Sequence, residues 1–103
     1  MDNTAGEMVS MMIIANSGDA RSYAFRALEA AKASKFEDAD ELLKKSDASM
    51  NLAHKAQTEL LIKEASGEKQ DINVLLVHSQ DHLMTSMLAN ELIKEMIYMY
   101  KNK

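Results

Sequence analysis

Apolar positions along this chain recur at three- and four-residue intervals in three successive stretches, the spacing of amphipathic helices. In the first, from about Glu7 to Ala33, Val9, Ile13, Ala20, Ala24, Ala27 and Ala31 fall on or near one stripe, with Tyr23 and Leu28 beside it. The alanines of its second half allow close helix–helix approach. Asn16-Ser17-Gly18-Asp19 interrupts the stretch. A glycine inside a helix costs about 1 kcal/mol relative to alanine, so Gly18 is expected to mark a kink or a close contact, or to line a site beside a reactive helix. Residues 1–6 precede the stripe and are expected to fray.

A second stripe follows. Ser34-Lys35-Phe36-Glu37 has the S-x-x-E form of a capping box, in which the serine accepts from the amide three residues on and the glutamate reaches back. It predicts a helix from about Lys35 to Ala65, with Phe36, Ala39, Leu43, Ser46, Met50, Ala53, Gln57 and Leu60 as a coiled-coil-like seam. Lys44, Lys45, Asp47, Lys55, Glu59 and Lys63 make a solvated face, and His54 stands alone as a surface or boundary histidine. Ser66-Gly67-Glu68-Lys69-Gln70 breaks the pattern, with Gly67 suited to end the helix. Asp71 or Asn73 can cap a third helix that runs from about residue 72 to Tyr100. Three long helices with two short connections predict a single all-α domain spanning residues 1–103, an antiparallel three-helix bundle.

The third helix is too apolar for a lone bundle. One seam carries Val74, His78, Asp81, Thr85, Leu88, Leu92, then Glu95 or Met96, and Met99. A second face carries Ile72, Leu76, Leu83, Met87 and Ile97, and Val77 and Met84 add a third. A helix that is hydrophobic nearly all round is normally buried, so the third helices are expected to meet one another along the first seam. Polar residues at such positions cost stability but fix register and oligomer order.

Composition narrows the function. There is no proline and there are only three glycines, which favours helix throughout. A net charge of −4 with no basic stripe argues against nucleic-acid binding. The absence of cysteine excludes disulfides, thiolate catalysis and cysteine-based zinc sites. No apolar run approaches the roughly 20 residues that span a bilayer, so no membrane insertion is expected and the cytoplasm is the expected compartment. Nine methionines against five aromatics fit adaptable contact surfaces.

The chemistry sits in the third helix. If Asp81 lies on a symmetry axis it meets its own copies, and clustered carboxylates must hold protons or share a cation. Oxygen-only ligation suits a hard ion such as Mg²⁺. Otherwise Asp81 faces water or pairs with His82. His78 and His82 are four residues apart and share a helix face. Three readings are open for them. A transition-metal pair lacks a third ligand at a matching spacing. Inert histidines would make the chain a non-enzymatic helical interaction protein. A nucleophilic imidazole, neutral near pH 7 because histidine's unperturbed pKa is about 6.5, could attack phosphorus through one ring nitrogen while the other keeps its proton.

The run Val77-His78-Ser79-Gln80-Asp81-His82-Leu83-Met84-Thr85-Ser86-Met87-Leu88-Ala89 resembles the active-site segment of the lactose/cellobiose-type (chitobiose-type) enzyme IIA of the bacterial phosphoenolpyruvate-dependent sugar phosphotransferase system. The segment from Ile13 to Ser22 resembles that family's first-helix signature, and the segment from Asn51 to Thr58 its second-helix segment. The resemblance covers nearly the whole chain. It implies a homotrimer with the third helices around a threefold axis. It implies that His78 is phosphorylated, that Asp81 is the axial metal ligand, one per subunit, and that His82 and Gln80 support the reactive histidine. It further implies that phosphate arrives from the histidine-containing phosphocarrier protein and leaves to a cysteine of the cognate enzyme IIB, for uptake of a β-linked disaccharide.

Overall fold

A computed structural model describes residues 4–103. Three helices follow one another, α1 (Thr4–Lys32), α2 (Phe36–Ala65) and α3 (Val74–Lys101), in a bundle about 55 Å long and 20 Å wide. The all-α three-helix expectation holds. Of the residues expected to fray, Thr4, Ala5 and Gly6 belong to α1, while Met1, Asp2 and Asn3 lie outside the described residues. α1 packs along both other helices, whereas α2 and α3 meet only sparsely. The stripe on α1 explains this: Ala20, Ala24, Ala27 and Ala31 are fully or almost fully buried. Side chains that small let two helices approach one surface closely.

The turns differ from expectation in one respect. Ser34 does not cap α2. Its φ of 61° places it in the left-handed region. Its amide donates to the Ala31 carbonyl at 3.0 Å, and the Lys35 amide donates to the Ala30 carbonyl at 2.9 Å. That is a Schellman ending of α1, which satisfies two orphan carbonyls. Lys35 is the N-cap of α2 and offers no side-chain cap. The S-x-x-E pattern matched by composition, but the end of α1 claimed the serine first. The α2 ending is as expected: Gly67, at φ 94°, donates to the Glu64 carbonyl and Glu68 donates to that of Lys63, both at 3.0 Å. Asn73 caps α3, its Oδ1 accepting from the Leu76 amide at 2.8 Å.

The core forms two apolar clusters. One joins Ile13, Ala20, Met50, Ala53, Ala56, Leu60 and Leu83, with Val9, Leu76 and Met87 against it. The other joins Ala24, Ala27, Leu28, Ala31, Ala39, Ile93 and Ile97. Between them lies a polar waist. Buried Ser46 of α2 donates to the Ala20 carbonyl of α1 at 2.7 Å and accepts from Asn90 Nδ2 of α3 at 2.7 Å, so one hydroxyl ties all three helices. Ser17 of α1 and Ser86 of α3 are fully buried nearby in sequence, and neither hydroxyl has a hydrogen-bond partner. Two ion pairs, Lys94–Asp47 at 2.8 Å and Lys101–Asp40 at 2.7 Å, clip the sparse α2–α3 seam. They are half-exposed and worth little individually.

Gly18 is neither a close contact nor an interruption within the subunit. The helix runs through it, and a Cβ placed there would meet nothing within 4 Å.

Candidate functional site

The face of α3 turned toward the bundle carries Ser79, Leu83, Ser86, Asn90, Ile93 and Ile97. The seam read from the sequence as a self-association stripe is the opposite face. Val74, His78, Asp81, Thr85, Leu88, Leu92, Met96 and Met99 are all exposed in the subunit. Val74 is 85% exposed, Leu88 56% and Met99 68%. With Val77, Met84 and Tyr98, also exposed, they make a long apolar surface on one helix. Surfaces of this kind mark interaction sites in soluble proteins.

His78 lies at the edge of that surface, about a turn from the start of α3. Its Nε2 is 3.1 Å from Nε2 of His82, within hydrogen-bond distance, and the two rings meet edge to face, their planes at 89° and their centroids 4.4 Å apart. The i,i+4 spacing brings the two side chains onto one face, and at this separation one ring donates and the other accepts. His78 is exposed and His82 half-buried, so His82 backs the pair from the bundle side and His78 presents it outward.

Asp81 is exposed. It makes no ion pair among the described residues, and its backbone carbonyl accepts from Thr85 Oγ1 at 2.7 Å. The alternative in which Asp81 pairs with His82 is not what the side chains do, since His82 is engaged with His78. Among the described residues no three His, Asp or Glu side chains stand close enough to hold a metal ion within one subunit. A single exposed carboxylate supplies at most two oxygens, so a hard cation here would need further donors from outside the subunit.

Gln80 is adjacent to the pair in sequence but not in space. Two residues along a helix is a rotation of about 200°. Its Oε1 accepts a short hydrogen bond from Gln57 Nε2 of α2, and its own Nε2 lies 3.4 Å from Ser79 Oγ. Gln80 therefore lines a cavity between α2 and α3 of about 270 Å³, with Gln57, Leu60, Leu61, Glu64, Gln70, Ile72 and Leu76, on the far side of α3 from His78. The α2 seam places Gln57 inward, but periodicity does not reveal its partner. Two inward-facing amides at matching heights on neighbouring helices were the signal for it. His54 is exposed on α2 and joins no cluster.

The comparisons with known proteins agree with this geometry. Residues 8–101 match the family model for the lactose/cellobiose-specific IIA subunit of the phosphotransferase system. The chain is 44% identical over 101 residues to the lactose-specific EIIA component of Streptococcus mutans, covering 98% of this chain and 97% of that one. Its fold superposes on the cellobiose-specific enzyme IIA of Bacillus anthracis with a TM-score of 0.93 at 48% identity, covering 99% and 93% of the two chains. It superposes on the IIA(Chitobiose)–HPr complex of Escherichia coli with a TM-score of 0.80 at 45% identity, covering 93% of each chain. With its three helices and the histidine pair on an exposed apolar face, the chain belongs to the lactose/cellobiose-specific IIA family of the phosphoenolpyruvate-dependent sugar phosphotransferase system.

Proposed function

We propose that this chain is the phosphoryl carrier of a sugar phosphotransferase system, and that His78 carries the phosphoryl group. The observation that supports this best is an imidazole held by a second imidazole at the open edge of an apolar surface. A proton-bearing ring nitrogen needs no base to leave the other nitrogen nucleophilic, and an exposed nitrogen can be reached by two different partner proteins in turn. The phosphoryl donor is the histidine-containing phosphocarrier protein, HPr. A lone pair of His78 forms the N–P bond as the N–P bond of the donor histidine breaks. In the second half-reaction a cysteine thiolate of enzyme IIB takes the phosphorus and the imidazole leaves. This chain contains no cysteine, so that acceptor lies outside it. In such transfers the protein mostly positions groups and stabilises charge. The end product is a phosphorylated β-linked disaccharide, taken up at the membrane while this component works on the cytoplasmic side; no helix of the described residues is long and apolar enough to cross a membrane.

The exposed α3 seam supports a homotrimer with the three α3 helices about one axis. There Asp81 would come from each subunit toward its two copies. Three carboxylates fit a hard cation, Mg²⁺ first, whose charge would offset their mutual repulsion. Methionine, leucine and isoleucine side chains of neighbouring subunits would form an apolar ring around His78.

Incubation with phosphoenolpyruvate, enzyme I and HPr tests the reading. The expected result is a mass gain of one phosphoryl group that is lost in acid and absent in His78→Ala, whose helicity and oligomer are unchanged. Phosphate on another residue, or its full retention in His78→Ala, would overturn the assignment and favour inert histidines in an interaction protein.

A further inference from the structure

Two exposed side chains of opposite charge stand at one height on opposite flanks of the subunit. The Ser46 hydroxyl, bonded to the Ala20 carbonyl and to Asn90 Nδ2, sets Ala20 and Asn90 at the same level of the bundle. α1 and α3 run parallel, each antiparallel to α2, so the next residue on each helix, Arg21 on α1 and Glu91 on α3, is level with the other. Arg21 precedes Leu28 by seven residues and Lys32 by eleven, offsets that return to within about 20° of the same side of a helix. Leu28 and Lys32 border α3, where they line a cavity with Met96, Met99 and Tyr100. Arg21 is therefore on the α3 flank of α1. Glu91 follows Gln80 by eleven residues, so it stands about 20° round from it. That is the flank of α3 on which Gln80 meets Gln57 of α2. The outer seam of α3 lies between the two flanks.

Neither charge is matched within its own subunit. Arg21 and Glu91 are exposed, and neither makes an ion pair among the described residues. Lys94, one turn beyond Glu91, is engaged by Asp47 at 2.8 Å. The Arg21 guanidinium lies over the Phe25 ring, 5.9 Å from its centroid, and stacking on a ring leaves the N–H donors at the edge of the fork open. Gly18 stands one turn before Arg21, and nothing of the same subunit comes within 4 Å of a Cβ placed there, so a neighbouring helix has room to approach.

We infer that Arg21 of one copy pairs with Glu91 of the next, and that this contact selects a parallel, closed ring. This deepens the proposed function and rests on its homotrimer. A cyclic trimer joins two different patches head to tail. With the α3 seams on the axis, the Arg21 flank of each copy faces the Glu91 flank of its neighbour. An axis along the helices keeps equal heights equal, so the two charges meet at all three contacts. An apolar stripe of leucine, methionine and valine tolerates antiparallel or slipped pairings of the same helices. Opposite charges at one height do not, because complementary charge across an interface fixes register and suppresses wrong partners. Glu91 is thirteen residues from His78, about 20 Å along the helix, so the pair acts on assembly and touches none of the transferring atoms.

The test is sedimentation equilibrium on the full chain as wild type, Arg21→Glu, Glu91→Arg and the double exchange, with circular dichroism to check that each is helical. The wild type is expected to be a trimer. Each single reversal turns attraction into repulsion at three contacts together and should raise the half-dissociation concentration by roughly tenfold or more. The double exchange, which restores opposite charges across every contact, should return it to within about threefold of the wild type. Salt at about 1 M, where the Debye length is about 3 Å, should bring the single variants toward the wild type. Arg21→Gln, which removes charge without adding repulsion, replaces a reversal that loses its helicity, and should weaken the trimer by about threefold. A wild-type trimer whose single variants assemble equally well, or whose double exchange is no better than the worse single variant, overturns the pair and leaves the trimer standing. A monomeric wild type overturns the trimer and this inference together, while phosphorylation of His78 by HPr is decided by its own assay.

Discussion

The polar waist makes one prediction whose sign changes between neighbouring serines. Ser46→Ala deletes a hydroxyl that is fully buried and doubly engaged, as donor to the Ala20 carbonyl and acceptor from Asn90 Nδ2. Two bonds go, each worth about 1 kcal/mol net. The Asn90 amide, itself 5% exposed, is left as a buried donor without that partner, which adds about 1–3 kcal/mol. The Ala20 carbonyl keeps its helical bond and suffers less. Alanine's better helix propensity returns a few tenths of a kcal/mol. The expected net loss is about 3–5 kcal/mol. Ser86→Ala deletes a hydroxyl that is equally buried but has no partner. It removes an unsatisfied group and improves propensity, so it is expected to stabilise by about 1 kcal/mol. Thermal melts by circular dichroism at one fixed protein concentration, which holds any oligomer linkage constant, would read these as a fall in Tm on the order of 10 °C or more for Ser46→Ala and a rise of a few degrees for Ser86→Ala. Urea titration gives the free energies. If the two variants melt within a degree or two of each other, the waist is not a hydrogen-bonded tie and the argument fails.

Other outcomes follow from the caps and the outer face. Ser34→Gly relieves a left-handed serine at the end of α1 and should raise stability by about 1 kcal/mol in urea titration. Asn73→Ala removes the acceptor for the Leu76 amide at the start of α3 and should cost about 1 kcal/mol, with hydrogen exchange quickening in the first turn of α3 ahead of the rest. Asp81→Leu replaces an exposed carboxylate on the apolar seam. Under the trimer reading it keeps or tightens the oligomer, because apolar replacement of buried charge is often neutral or stabilising. Dissociation to monomers in sedimentation experiments would count against an axial carboxylate.

How far the sequence could be read varied by position for physical reasons. The α2 seam from Phe36 to Leu60 emerged with all its members buried or half-buried, and only Ala56, buried beside it, was missing. The α1 stripe emerged at its apolar members but not at Ser10 and Ser17, which are buried on the same helix. On α3 the pattern led to the outer face, since the apolar excess there is genuine. The inner face was harder to see because half of it is Ser79, Ser86 and Asn90, which hydropathy scores as surface. Serines can be core here because α1 offers small side chains and a carbonyl within reach. Ser34 was misread because two local motifs overlap on one residue and only the backbone angle decides between them. Gly18 offered no reason for itself within one subunit, where nothing approaches it. The histidine pair was visible from spacing alone. The Nε2 contact was not, because rotamers, rather than sequence intervals, set which nitrogens meet.

The two apolar clusters on either side of the waist make the molecule a pair of compartments in series. Leu83, Ile13 and Leu60 sit in the compartment nearer the histidines, Ile97, Leu28 and Ala39 in the other. Residues that share no neighbours contribute independently to stability, so repacking the far compartment leaves the geometry at His78 as it was. The far end can be tuned for assembly or endurance while the near end stays set for transfer, with Ser46 and Asn90 as the bulkhead between them.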